Sequence, residues 1–120
     1  MRLTEIEYSD LKPIDGYGPD FFRIGGEIFN GGQLLLPDGQ VPWAGFEDHE
    51  AIVGAAGTID VLLVGTGAEM TTIPKAFRSA LEAVGIGVEP MATPTACRSY
   101  NVLLSEGRRI GAALLAVGES

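Results

Sequence analysis

The stretch Ile59-Asp60-Val61-Leu62-Leu63-Val64, closed by Gly65-Thr66-Gly67, decides the fold. Apolar side chains fall on both alternating faces of this short run. That is the usual appearance of a parallel strand covered on two sides. The segments after it keep the same grammar. Pro74 suits the first turn of a helix, and Ile73, Phe77, Ala80, Leu81 and Val84 share one face at helical spacing, with Lys75, Arg78 and Glu82 opposite. Gly85 stops that helix, and Ile86-Gly87-Val88-Glu89 reads as a second strand ended by Pro90. Thr93-Pro94 repeats the start signal, with Thr93 as a capping hydroxyl. Ala96, Cys97, Tyr100, Leu103 and Leu104 then form a buried stripe, closed by Gly107. The nearly all-apolar run from Ile110 to Val117 belongs in the centre of a sheet. Strands alternating with helices from Thr58 onward mean βαβ units with right-handed crossovers.

Upstream the pattern changes. Phe21-Phe22-Arg23-Ile24 and Glu27-Ile28-Phe29-Asn30 flank Gly25-Gly26, which can take the positive φ values of a two-residue hairpin turn. Asn30-Gly31-Gly32 turns the chain into Gln33-Leu34-Leu35-Leu36, and Pro37-Asp38-Gly39 leads on to Val41-Pro42-Trp43. These strands read as one antiparallel meander. Before them, Glu5-Ile6-Glu7-Tyr8 alternates like a short edge strand, while Gly16, Gly18 and Pro19 break regular structure. Asp48 to Ala56 fits a short helix with acids in its first turn, weakened by Gly54. The expectation is one α/β domain over 1–120: an extended lead-in at 1–20, a β-meander at 21–43 and an α/β core at 44–120. Its three layers hold a mixed central sheet, βαβ units in the C-terminal half and an N-terminal β-hairpin or meander layer.

The chain has 120 residues, a hydrophobic fraction of 46%, mean hydropathy of +0.21 and a net charge of −8. That excludes a disordered chain, and the acidity opposes nucleic acid or an anionic membrane as direct partner. Residues 1–60 hold 11 acids and 3 bases, whereas 61–120 hold 5 of each, so the net charge lies in the first half. Such a flank keeps a small apolar domain soluble or docks a basic partner. One cysteine makes neither a disulfide nor a metal site, and a reducing compartment follows. The N-terminus carries Glu5, Glu7, Asp10 and Asp15 and resembles neither a signal peptide nor a transit peptide. No stretch approaches the roughly 20 apolar residues needed to cross a bilayer. A cytoplasmic location is expected.

Gly65-Thr66-Gly67 is the most tempting motif. A dinucleotide fingerprint needs a third glycine three residues on, and that position is Met70. The helix also starts too late to aim its N-terminus at a pyrophosphate. Glycine there shapes the strand exit. A softer site remains at the strand ends, where Gly65, Thr66 and Gly67 meet Thr93 and Arg98 in a cradle for a small anion or carboxylate. The simpler reading is that Thr93 caps its helix and Arg98 pairs with a surface acid. Cys97 sits near a helix N-terminus that favours a thiolate, yet its spacing puts it on the core stripe as an inert thiol. His49, the single histidine, reads as an exposed helix-start residue. No nucleophile–base pair or metal cluster results, and no cofactor is expected. Trp43 belongs in the core or, with Asp48 and Glu50, on an interaction surface.

The residues from Val61 to Gly67, Pro74, Gly85 to Glu89, and above all Met91-Ala92-Thr93-Pro94-Thr95-Ala96-Cys97-Arg98-Ser99-Tyr100-Asn101-Val102-Leu103 with Glu106-Gly107-Arg108-Arg109 form one signature. It resembles the small single-domain family that includes the mitochondrial respiratory complex I assembly factor 3 and the adipogenesis-associated Mth938 domain-containing protein. The likeness runs from about Tyr17 to Val117. It implies a three-layer α/β fold with a mixed sheet and a hairpin layer, and it brings no catalytic residues. The mitochondrial relative acts with partner proteins, and this chain lacks its presequence, as a prokaryotic cytoplasmic member would.

Two functions are therefore expected to compete. The first is a non-catalytic interaction domain with a protein partner, an assembly or accessory factor for a larger respiratory or membrane-associated complex. The second is a binder of, or enzyme for, an anionic metabolite at the strand-end site. The hydrophobic content permits a homodimer without requiring one.

Overall fold

The computed structural model describes residues 12–118, so the expected edge strand at Glu5–Tyr8 lies outside the described residues. In chain order the elements are β1 (Ile14–Gly18), β2 (Phe21–Ile24), β3 (Glu27–Asn30), β4 (Gln33–Leu36), β5 (Gly39–Pro42), α1 (Glu50–Gly54), β6 (Val61–Gly65), α2 (Lys75–Glu82), β7 (Gly87–Met91), α3 (Thr93–Ser105) and β8 (Ile110–Leu114). Strands β1-β2-β3 form an antiparallel sheet, and a second, mixed sheet has the order β5-β4-β8-β6-β7. Within it β6 runs parallel to both β7 and β8, while β4 is antiparallel to β8 and β5. The fold is a three-layer α/β arrangement. Among the described residues no helix is long and apolar enough to cross a membrane.

The five-stranded sheet is the middle layer because its inner strands are apolar on both faces. Leu35, Leu63, Ala112 and Leu114 face a core shared with α3 and the three-stranded sheet, through Ala96, Cys97, Tyr100, Phe22 and Ile24. The alternate residues Leu34, Leu62, Val64 and Ala113 face Ile52, Phe77 and Leu81 of α1 and α2. A period of two along each strand therefore sorts its side chains into two cores. The chain steps from β6 through α2 to β7, then back across β6 through α3 to β8. Right-handed crossovers taken in opposite directions put their helices on opposite faces, as α2 and α3 are. The central place expected for Ile110–Val117 is where β8 lies, between β4 and β6.

Four local expectations need correction. The meander is not continuous: β1 to β3 pair with one another, but β4 leaves them to join β8. Leu34 and Leu35 are buried on opposite faces, and a strand of that kind belongs inside a three-layer stack. Ile14–Gly18 is a strand, not a lead-in, despite its glycines. The helix expected from Asp48 is confined to Glu50–Gly54, because Asp48 holds a turn: its Oδ2 accepts the Ala44 N–H at 3.1 Å and its carbonyl accepts Trp43 Nε1–H at 2.9 Å. Pro90 does not end β7 but lies within it, which an edge strand tolerates since one side of its backbone is unpaired. The hairpin turn at Gly25-Gly26 has φ values of 59° and 87°, as its two glycines require.

Besides that shared core, one side chain of α3 hydrogen-bonds to the outer sheet. Asn101 Nδ2 donates to the Ile14 carbonyl and its Oδ1 accepts the Ile14 N–H, both at 2.8 Å. The carboxamide thus stands in for a neighbouring strand at the edge of β1. Asn101→Ala leaves both Ile14 groups without these partners and is expected to cost about 1–3 kcal/mol. A urea titration measures the loss, and amide exchange at Ile14 rises with it.

Cys97 and Tyr100 lie inward on α3, and burial raises the thiol from its ordinary 9.0 to about 11 and the phenol from 10.0 to about 12. Both groups are kept neutral by the fold. Their stabilising contribution is complete below the unfolded-state values and is lost as pH rises through the folded ones. Stability should therefore fall steeply between about pH 9 and about pH 12, each group contributing on the order of 2–3 kcal/mol in full. Denaturation midpoints measured at about pH 8 and about pH 10.5 should show this drop, and Cys97→Ala should make it shallower.

Candidate functional site

The carboxyl ends of β6 and β8 meet the start of α3 at Thr93, whose side chain is fully buried. Its hydroxyl donates to the Leu115 carbonyl at 2.7 Å and accepts the Gly67 N–H at 2.9 Å. The Thr93 N–H returns a bond to the Gly67 carbonyl at 2.8 Å, and Leu115 N–H reaches the Gly65 carbonyl at 2.9 Å. The expected cap is therefore absent. Ala92 is the N-cap residue, without a side-chain bond, and Thr93 already lies inside the helix. Its hydroxyl points across to two other segments and satisfies a backbone N–H and a backbone carbonyl there.

This joint explains the glycine of the strand exit. A Cβ on Gly65 would lie 2.6 Å from Thr93 Oγ1 and 3.0 Å from Leu114 Cδ2. Close approach to a threonine, not to a phosphate, excludes a side chain there. Thr66 is engaged in a similar way. Its hydroxyl donates to the Glu69 carbonyl at 2.7 Å and accepts the Thr71 N–H at 3.1 Å, which folds the loop back on itself.

A cavity of about 430 Å³ opens at this end of the sheet. Thr66, Gly67, Gly32, Trp43, Ala116 and Asp20 contribute to its lining. Two of the five strand-end residues expected to cooperate, Thr66 and Gly67, border it, and Gly65 and Thr93 lie buried behind them. Arg98 is elsewhere. It is exposed on α3 and its Nη2 is 3.4 Å from Thr95 Oγ1, so its bond is not to a surface acid. It borders a separate cavity of about 450 Å³ with Ser99, Val102 and Leu103.

Asp20 supplies the charged side chain at the strand-end rim, and sequence reasoning did not single it out. It belongs to the turn between β1 and β2, with φ of 66°, where its N–H donates to the Val117 carbonyl at 2.9 Å. Pro19 followed by a residue tolerant of positive φ was the available turn signal. Its position beside Gly67 was not written locally. An anion entering this cavity would meet a carboxylate and, among the described lining residues, no base.

The other expected surface divides into a base and an edge. Trp43 is only 4% exposed and packs edge-on to Phe46 at 5.4 Å and tilted against Phe77 at 6.0 Å. It belongs to the core. Asp48 and Glu50 stand beside it at the start of α1, Glu50 exposed and Asp48 partly so. His49 between them is half-buried rather than exposed, with Nδ1 unpartnered among the described residues.

Thr93→Val keeps the shape of the joint and removes its hydroxyl, leaving the Leu115 carbonyl and the Gly67 N–H without that partner. Two part-buried backbone groups losing a hydrogen bond are expected to cost roughly 1–3 kcal/mol, measured by chemical denaturation, with Thr93→Ser retaining more stability than Thr93→Val.

The comparisons with known proteins agree with this architecture. A family model described as a protein of unknown function (DUF498/DUF598) matches residues 14–115. An uncharacterized protein of Rhodobacter capsulatus is 54% identical over 115 residues, covering 96% of this chain and 93% of that protein. NADH dehydrogenase (ubiquinone) 1 alpha subcomplex assembly factor 3 of Rattus norvegicus is 32% identical over 123 residues, which are 96% of this chain but 66% of the factor. The chain thus spans just under two thirds of that relative. Among solved structures, an outer membrane protein from Bartonella henselae superposes with a TM-score of 0.82 at 35% identity, over 88% of this chain and 95% of that one. A Mth938-like domain from Bordetella pertussis gives a TM-score of 0.75 at 28% identity, over 93% and 90% of the two chains. Sequence and fold together make the chain a member of the DUF498/DUF598 family, with the Mth938-like fold and with complex I assembly factor 3 among its relatives.

Proposed function

We propose that the chain is a non-catalytic protein-interaction domain, working in the cytoplasm as an assembly or accessory factor for a larger respiratory or membrane-associated complex. The observation that carries this reading is the likeness to complex I assembly factor 3 along 96% of the chain. The way the site is built supports it. The hydroxyls of Thr66 and Thr93, the polar side chains nearest the strand ends, are both engaged by backbone groups. The strand-end alternative carries less, because Arg98 is absent from that cavity and Asp20 repels the anion it was expected to hold.

The proposed contact surface is the acidic start of α1. The Asp48 carbonyl accepts the Trp43 indole N–H, Glu50 opens the helix two residues on, and the rings of Trp43, Phe46 and Phe77 pack at centroid distances of 5.2 to 6.0 Å. A rigid aromatic base lets exposed carboxylates meet a basic partner with little loss of side-chain freedom.

Affinity capture of the chain from its own cells, with identification of the co-purifying chains, tests this directly. Subunits or assembly proteins of a respiratory complex should co-purify. They should be depleted several-fold by Glu50→Lys combined with Asp48→Asn, which keeps an acceptor for Ala44. An unchanged set of captured chains in the double variant would remove this surface from the proposal, and capture of no respiratory component would remove the assembly role.

A further inference from the structure

The amino ends of β6 and β8 lie at the other end of the central sheet, away from the cavity beside Gly67, and here basic residues converge in an otherwise acidic chain. Arg109 is occupied: its Nη2 and Nε lie 2.9 and 3.3 Å from the Asp60 carboxylate, and Nη1 donates to the Gly57 carbonyl at 3.0 Å. The guanidinium beside Asp60 holds that carboxyl below its usual range. Arg108 is different. Among the described residues it makes no ion pair, and it lines a cavity of about 220 Å³ with Thr58, Tyr100, Leu104, Arg109 and Ile110. Tyr100 is 4% exposed, and its hydroxyl makes no hydrogen bond to another described residue. The same residue borders a second cavity of about 130 Å³ on the side of Lys12.

We propose that the Tyr100 cavity binds a carboxylate carried on a short apolar stem, with Arg108 and the Tyr100 hydroxyl receiving the carboxylate and Leu104 and Ile110 receiving the stem. The Tyr100 hydroxyl is a neutral donor beside the cavity, and a carboxylate oxygen accepts a charge-assisted hydrogen bond from such a group. Burial keeps that phenol protonated, with its ionisation pushed up to about 12, so it remains a donor at neutral pH. The charge balance selects a carboxylate over a phosphate. Arg109 is neutralised by Asp60, which leaves Arg108 with Lys12 beyond the ring, and Asp60 repels a second negative charge. The size selects a small stem, since this space is below the roughly 300 Å³ at which drug-sized sites begin. Such a group comes from a free small acid or from the C-terminal residue of a peptide.

The test uses the intact chain, followed by NMR of the Tyr100 ring and the Ile110 amide. Millimolar phenylacetate should shift both signals saturably, while phenylacetamide, of the same shape but uncharged, should not. Arg108→Gln, at an exposed position, should weaken phenylacetate by about tenfold, and Tyr100→Phe, which keeps the ring, by several-fold. A peptide ending in a free C-terminal phenylalanine, set against its C-terminal amide, distinguishes the sources. Binding of the free peptide assigns chain ends to the site, and binding of phenylacetate alone assigns small acids. Equal shifts by acid and amide, no saturable shift, or unchanged affinity in Arg108→Gln would overturn the proposal. Neither Asp48 nor Glu50 lines this cavity, so either outcome leaves the capture experiment independent.

Discussion

The buried hydroxyl of Thr93 is the joint on which the strand ends depend. It carries one hydrogen bond outward to β8's exit and receives one from the loop after β6, while its own helix begins at the same place. Three chain segments thereby share one small polar centre built on a side chain with no exposure to water. In such a setting a missing partner costs more than the net value of an ordinary hydrogen bond, because the abandoned group stays desolvated. The geometry leaves no room beside it, and Gly65 follows as a steric consequence.

Helix α3 organises the rest. Thr93, Ala96, Cys97 and Tyr100 are buried along its inner face, and on its flank Asn101 pairs with the backbone of β1. These residues belong to the same stretch that carries the family resemblance. Their common task is attachment: each joins α3 to the central sheet or to the outer one. A signature made of attachments identifies a fold firmly and says little about chemistry. This is why the family could be read from the sequence while the function could not.

Charge is distributed along the molecule in a way that composition conceals. The acids Asp48 and Glu50 lie at the start of α1, Asp48 bonded through its carbonyl to Trp43, whereas Arg108, Arg109 and Lys12 line the cavities on either side of Tyr100. A chain with a formal charge of −8 thus has a locally basic end. Local potential, not net charge, decides what a cavity attracts.

The sequence alone determined the elements of the C-terminal half, the hairpin at Gly25-Gly26, the central place of the final strand and the turning role of the glycines at the strand exit. Each is written in a window of a few residues, as a period of two or 3.6, a turn requirement or a missing motif position. Only the tertiary structure decided that β4 leaves the meander, that Thr93 bonds to Gly67 and Leu115 instead of capping its helix, that Asp20 stands where Arg98 was expected, and that Trp43 lies under the acidic edge and not on it. Those outcomes depend on which distant segments are brought together. Thr93 and Leu115 are 22 positions apart, and Asn101 and Ile14 are 87 apart. No local pattern encodes such a partner, because a hydroxyl or carboxamide takes whichever buried group the packing leaves without one.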